Sequence, residues 1–121
     1  MMHFLAQASF PNDPAVLTSL GLVLLRKNAA GEAVRLFERA VRNDPRPASY
    51  HLNLAIALRR AGERSKAVER LERAIEMDPS LEDAYYLLAD LYAELHQPEK
   101  RREALERYLR FMPQSIQARR R

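Results

Sequence analysis

This sequence contains no cysteine and no tryptophan, and only three glycines. Without cysteine it has neither disulfides nor thiolate metal sites, although that alone names no compartment. The glycines, Gly21, Gly31 and Gly62, stand apart from one another. They cannot form a glycine-rich phosphate loop, and they are too few for a multi-hairpin β fold. No apolar run approaches the roughly 18–20 residues that cross a bilayer. The opening Met1-Met2-His3-Phe4-Leu5-Ala6-Gln7 has no basic start and no long apolar stretch, so no signal peptide is read there. The cytoplasm is the expected compartment. His3, His51 and His96 lack metal-ligand spacing, and no Ser or Thr has an identifiable base. The chain is therefore expected to be no enzyme, with no cofactor and no metal.

What is present is hydrophobic residues at 47% and charged residues at 30%, enough for a folded, soluble domain. Leu and Ala dominate the apolar set and favour helix. Seven prolines punctuate it, and four of them, Pro11, Pro45, Pro79 and Pro113, are spaced 34 residues apart. Pro45 and Pro79 both follow an aspartate, Asp44 and Asp78. Proline lacks a backbone N–H and clashes with the preceding turn, so it ends helices. Stops at one fixed interval mean a copied structural unit.

Local signals place the helices. Residues 1–10 read as the end of a helix stopped before Pro11. Asp13 is placed to cap a helix that Pro14 opens, running to about Lys27. Its inward face is Leu17, Leu20, Gly21 and Leu24, and Asn28 can take the left-handed turn that ends it. Further helices are expected over about 30–43, 48–61, 64–77, 81–95 and 98–111, with a seventh begun at Ser115. Gly62 turns the second pair, and His96 stands where the third pair would want glycine. Ser80 and Asp83 resemble a capping box. Glu38–Arg42, Glu69–Arg73, Glu103–Arg107 and Glu106–Arg110 are i,i+4 pairs on exposed faces.

Aligned at 34-residue spacing, the columns are Leu17/His51/Tyr85, Leu20/Leu54/Leu88, Gly21/Ala55/Ala89, Leu24/Leu58/Tyr92, Ala33/Ala67/Arg101, Phe37/Leu71/Leu105 and Ala40/Ala74/Tyr108. With the prolines, this pattern resembles the tetratricopeptide repeat (TPR), a 34-residue helix–turn–helix unit. The resemblance implies an all-α, right-handed superhelical solenoid of antiparallel helix pairs, with partial helices at both ends. Residues 1–13 would be a partial first unit, 14–47, 48–81 and 82–115 three full repeats, and 116–121 a truncated capping helix. The third repeat departs from the pattern at His96, Arg101 and Tyr108. Either Arg101 simply reaches water at the margin, or the last helix is turned and offers an altered face.

In that family the first helix of each pair lines a concave groove. The resemblance puts Thr18, Leu22, Leu25, Arg26, Leu52, Ile56, Arg59, Arg60, Tyr86, Asp90 and Glu94 there. Leu22, Leu25, Leu52 and Ile56 form an apolar strip if exposed, and are half-buried between first helices otherwise. The charge along the chain falls from six basic and three acidic residues over 14–47 to five and seven over 82–115. The carboxylate clamp of the family's chaperone-binding members would need Lys, Asn, Asn, Lys and Arg where this chain has Thr18, Leu22, Asn53, Asp83 and Leu87. That activity is not expected. The expected function is a non-catalytic, bacterial-style adaptor that takes a protein or peptide partner in its groove. The alternative is self-assembly into a homo-oligomer through open solenoid ends. RNA binding by the arginine faces (Arg35, Arg39 and Arg42; Arg64, Lys66, Arg70 and Arg73) is disfavoured, because glutamates and not aromatics interleave with them. The Arg119-Arg120-Arg121 tail is read as an end, not a binding element.

Overall fold

The structure, a computed structural model, describes residues 12–111. The expected helix ends at 1–10, the helix from Ser115 and the arginine tail lie outside the described residues. Six helices follow in order: α1 (Pro14–Arg26), α2 (Ala30–Asn43), α3 (Ala48–Arg60), α4 (Arg64–Met77), α5 (Glu82–Glu94) and α6 (Pro98–Phe111). Among the described residues there is no strand. Consecutive helices pack on each other throughout, and short turns make them antiparallel, so the result is an all-α solenoid of three helix pairs.

The turns inside each pair are one motif used three times. Asn28, Gly62 and His96 occupy the left-handed region at φ of 63°, 85° and 59°. Around each, the next residue's N–H reaches six residues back: Ala29 to Leu24 (2.8 Å), Glu63 to Leu58 (2.9 Å) and Gln97 to Tyr92 (2.8 Å). This is the Schellman closure that satisfies the last carbonyls of a helix. Glycine enters it without strain. A histidine there carries a Cβ penalty.

The turns between pairs explain the repeated Asp-Pro. The Asp44 and Asp78 N–H groups donate to Ala40 and Ala74 as each helix ends. Their carboxylates then accept from the backbone N–H two residues on, Arg46 (3.2 Å) and Ser80 (3.0 Å). The aspartate thus folds the chain over a proline that has no N–H of its own. Ser80 is used here, donating its hydroxyl to Asp78 at 2.6 Å. The capping box expected at Ser80 is therefore not formed, and Leu81 precedes α5 without a side-chain cap. Asp13 caps as expected, accepting from Ala15 N–H at 3.0 Å.

One column acts as a peg on each proline turn. His51 Nε2 lies 2.9 Å from the Pro45 carbonyl, and the Tyr85 hydroxyl donates to the Pro79 carbonyl at 2.7 Å. A carbonyl only accepts, so His51 must carry its hydrogen on Nε2. Two different ring types make the same bond 34 residues apart.

The core is continuous from Leu25 to Tyr108. Ala33, Ala55 and Ala67 are fully buried, so the small columns do bring the helices together. Gly21 shows how tight this is. A Cβ added there would lie under 3.0 Å from three ring carbons of Phe37. The later repeats carry Ala55 with Leu71 and Ala89 with Leu105 in the same columns. Repeat one gives up a methyl to accommodate a ring.

Leu20 departs from the expected inward face. It is 40% exposed, while its counterparts Leu54 and Leu88 are buried at 1% and 0%. The latter two are covered by the preceding helix pair, and among the described residues no helix precedes α1.

Candidate functional site

α1 also touches α3, whereas α2 and α4 lie further apart. The first helices therefore line the inner, concave side. Of the residues expected there, Leu22 is 39% exposed, and Arg26, Arg60 and Asp90 are exposed. Leu52, Ile56 and Tyr86 are half-buried, each packed against the core with one side left open. Thr18 is half-buried, and its Oγ1 is out of reach of water. Leu25 differs from the others. It is only 7% exposed and belongs to the core, because the α1–α3 approach closes over it. The apolar strip is thus Leu22, Leu52 and Ile56, extended by the Tyr86 ring.

The charges of the groove are tied together. Glu94 on α5 accepts from Arg59 on α3, with Arg59 Nε at 3.0 Å and a second, shorter bond from its terminal nitrogen. Arg64, at the start of α4, donates its Nε to the other Glu94 oxygen at 3.0 Å. The hydrogen bond from Arg59, followed by that from Arg64, holds the Glu94 carboxyl below the usual carboxylate range. The same contact raises the Arg59 guanidinium, with Asp90 adding a weaker attraction. Arg60 reaches back to cap α1, donating to the Leu25 carbonyl at 3.2 Å. The basic-to-acidic gradient expected along the groove is therefore partly cancelled. Arg59 and Glu94 neutralise each other, leaving Arg26 exposed on the first pair and Asp90 on the third.

Sequence reasoning missed Arg64 and the outer counterpart of this latch. Arg107 on α6 donates to both Glu72 oxygens on α4 (3.0 and 3.3 Å), and the Tyr92 hydroxyl donates to Glu72 at 3.2 Å. The expected Glu103–Arg107 pair gives way to this one. Glu38–Arg42, Glu69–Arg73 and Glu106–Arg110 are not among the ion pairs of the described residues. Exposed pairs on one helix gain little from closing, whereas cross-repeat partners are already brought together by packing. The signal was available. Arg59–Glu94, Glu72–Arg107 and Leu25–Arg60 are each 35 apart, one repeat plus one residue.

On the third pair, Tyr86 meets Tyr108 at 5.0 Å between ring centroids, and Tyr85 meets it at 5.9 Å. Arg101 is exposed where Ala33 and Ala67 are fully buried. Burial on α6 moves instead to Ala104 and Tyr108. Ala104 lies roughly 60° round the helix from Arg101 at 3.6 residues per turn. Both expectations for this helix therefore have a part: Arg101 reaches water, and the inward face is turned.

On the outer side, Arg35, Arg42 and Arg73 are exposed and Lys66 pairs with Glu63 at 3.2 Å. A shallow cavity of about 350 Å³ between the Pro45 turn and the end of α4 is lined by Arg46, His51, Arg73, Glu76 and Met77. Among the described residues, no group of three His, Asp or Glu could hold a metal ion, and no helix is long and apolar enough to cross a membrane.

Comparison with known proteins agrees with this geometry. Two models described as tetratricopeptide repeat match residues 4–48 and 82–114, and one described as TPR repeat matches 57–95. Among curated proteins, nothing matches. Two crystal structures of MamA are similar over 93% of this chain, at 26% and 27% identity with TM-scores of 0.83 and 0.81. This chain spans 66% and 61% of their lengths. YrrB, described as a TPR protein with an unusual peptide-binding site, is similar in fold over 90% of this chain and 58% of its own (22% identity, TM-score 0.79). The periodic columns, the three helix pairs and the three model matches lead to one conclusion: the chain belongs to the tetratricopeptide-repeat family.

Proposed function

We propose that this chain is a non-catalytic interaction module that takes an apolar segment of a protein partner, an amphipathic helix or short peptide, along its concave face. The observation that carries this reading is the partly open strip of Leu22, Leu52, Ile56 and Tyr86 on the groove side of α1, α3 and α5. Exposed aliphatic and aromatic surface in a concavity favours a partner that removes it from water. Arg26 and Asp90, charged and exposed on the first and third pairs, would set the polarity of the bound segment more than its affinity. YrrB, of the same architecture, is described as having a peptide-binding site, which supports the assignment by analogy of fold. The arginines of the outer faces carry no aromatic platform, so RNA is not the proposed partner.

The test is calorimetric titration with a panel of amphipathic helical peptides. Leu22→Asp should weaken binding by about tenfold or more, about 1.4 kcal/mol per decade, with thermal stability unchanged because the side chain is already exposed. Arg35→Glu on the outer face should leave binding intact. Binding indifferent to Leu22→Asp, or lost equally with Arg35→Glu, would overturn the reading.

A further inference from the structure

The two edges of the solenoid expose the residues that its internal seams bury. At the first edge, Leu20 is 40% and Val23 36% exposed. Their counterparts in the later repeats, Leu54 and Ala57, then Leu88 and Leu91, are all at 1% or less. At the last edge, Leu109 is 44% exposed, against 7% for Val41 and 4% for Ile75 in the same column. Phe111 beside it is 56% exposed. Each internal seam seats a second helix on the following first helix, α2 on α3 and α4 on α5. The face of α6 is thus the next second helix in that series, and the face of α1 the matching first helix.

We propose that the chain associates with a second copy of itself head to tail, α6 of one copy seating on α1 of the next. The occupant follows from continuity with the seams already formed. Leu109 on Leu20 and Val23 repeats the columns that meet when Val41 and Ile75 are covered. Charge favours the same pairing. The first repeat carries six basic and three acidic residues and the third five and seven, so each edge meets its opposite. The contact is heterologous, so it leaves a free edge at each end and grows without closing. Arg102 stands in the column of Val34 and Val68, which makes the outer seam more polar than the inner ones and the association weak and concentration-dependent.

Sedimentation velocity of the full chain, from micromolar to millimolar concentration, reads this directly. The mean mass should climb with concentration past the dimer, and fall back with added salt. Leu20→Asp blocks one edge and Leu109→Asp the other. Each variant alone should stay monomeric, and an equimolar mixture should form dimers and nothing larger, because one free edge of each kind remains. Circular dichroism checks that both variants fold, with Val23→Lys and Phe111→Glu as second choices at the same edges. A wild-type chain that stays monomeric throughout, its flanking residues 1–11 or 112–121 taking the edges instead, overturns the proposal. So does a single-edge variant that still dimerises alone, which would mean a two-fold contact.

Discussion

The first two helix pairs and the third solve the same packing problem with different residues. In α2 and α4 the inward columns are small: Ala33 and Ala40, Ala67 and Ala74, all essentially buried. In α6 the same columns hold Arg101, which goes to solvent, and Tyr108, which is 1% exposed. A backbone that approaches closely through alanine is exchanged for one held through a ring. Tyr108 reaches Tyr85 and Tyr86 across the pair, and Arg107 lies over the Tyr85 ring at 6.0 Å while bonding Glu72. Close backbone approach relies on the whole helix face. The ring concentrates the attachment of α6 in one side chain and one ion pair, so the third pair should be easier to detach.

The sharpest way to break the comparison is Tyr108→Ala. Loss of a fully buried ring costs about 3–5 kcal/mol, and the loss should be local. Hydrogen exchange should show α6 opening while α1 to α4 keep their protection; a uniform loss would mean that the third pair is no weaker than the others.

Gly21→Ala tests the packing of the first pair. The added methyl meets the Phe37 ring and should cost about 1–3 kcal/mol by overpacking. Phe37→Leu restores the pairing that Ala55 and Leu71 use, and the double variant should recover most of the loss in chemical denaturation.

His96→Gly sharpens the comparison from the other side. The third turn has the left-handed φ of the second without its glycine. Relieving the Cβ should stabilise by about 1 kcal/mol, and Gly62→Ala should destabilise by a similar amount; both are read from the denaturation midpoint.

The smallest effect is at Glu94. Its folded-state carboxyl is held below the unfolded value by Arg59 and Arg64, so its contribution is complete above about pH 4.5 and falls away as the pH drops through the lowered folded value. The groups are partly exposed, so Glu94→Gln at neutral pH should cost no more than about 1 kcal/mol and flatten that acid limb.

Much of the architecture was legible because it rests on local chemistry. Proline ends a helix wherever it falls, Asn28 and Gly62 tolerate positive φ, and Asp13 caps whatever follows it, so helix limits could be read to within about two residues, the ordinary scatter of helix ends. The small columns were legible because a 34-residue period brings them into register. The groove was legible only in outline. Leu22 and Leu25 are three apart on one apolar helix, and nothing local says that one faces water while the other is sealed. Ser80 and Asp83 match a capping pattern, yet Asp78 takes the serine first. The four same-helix ion pairs have the right spacing, but spacing gives proximity without a reason to close.

By itself, the sequence determined the unit, its period and its turns, since these depend on each residue's own backbone preferences and on repetition. The tertiary structure decided which copies of a column are buried, which charges find partners one repeat away, and how α6 is turned. Burial and pairing belong to neighbours in space. Leu20 and Leu54 are the same residue at the same place in the repeat, and only the presence of a helix pair before the second separates a core residue from an exposed edge.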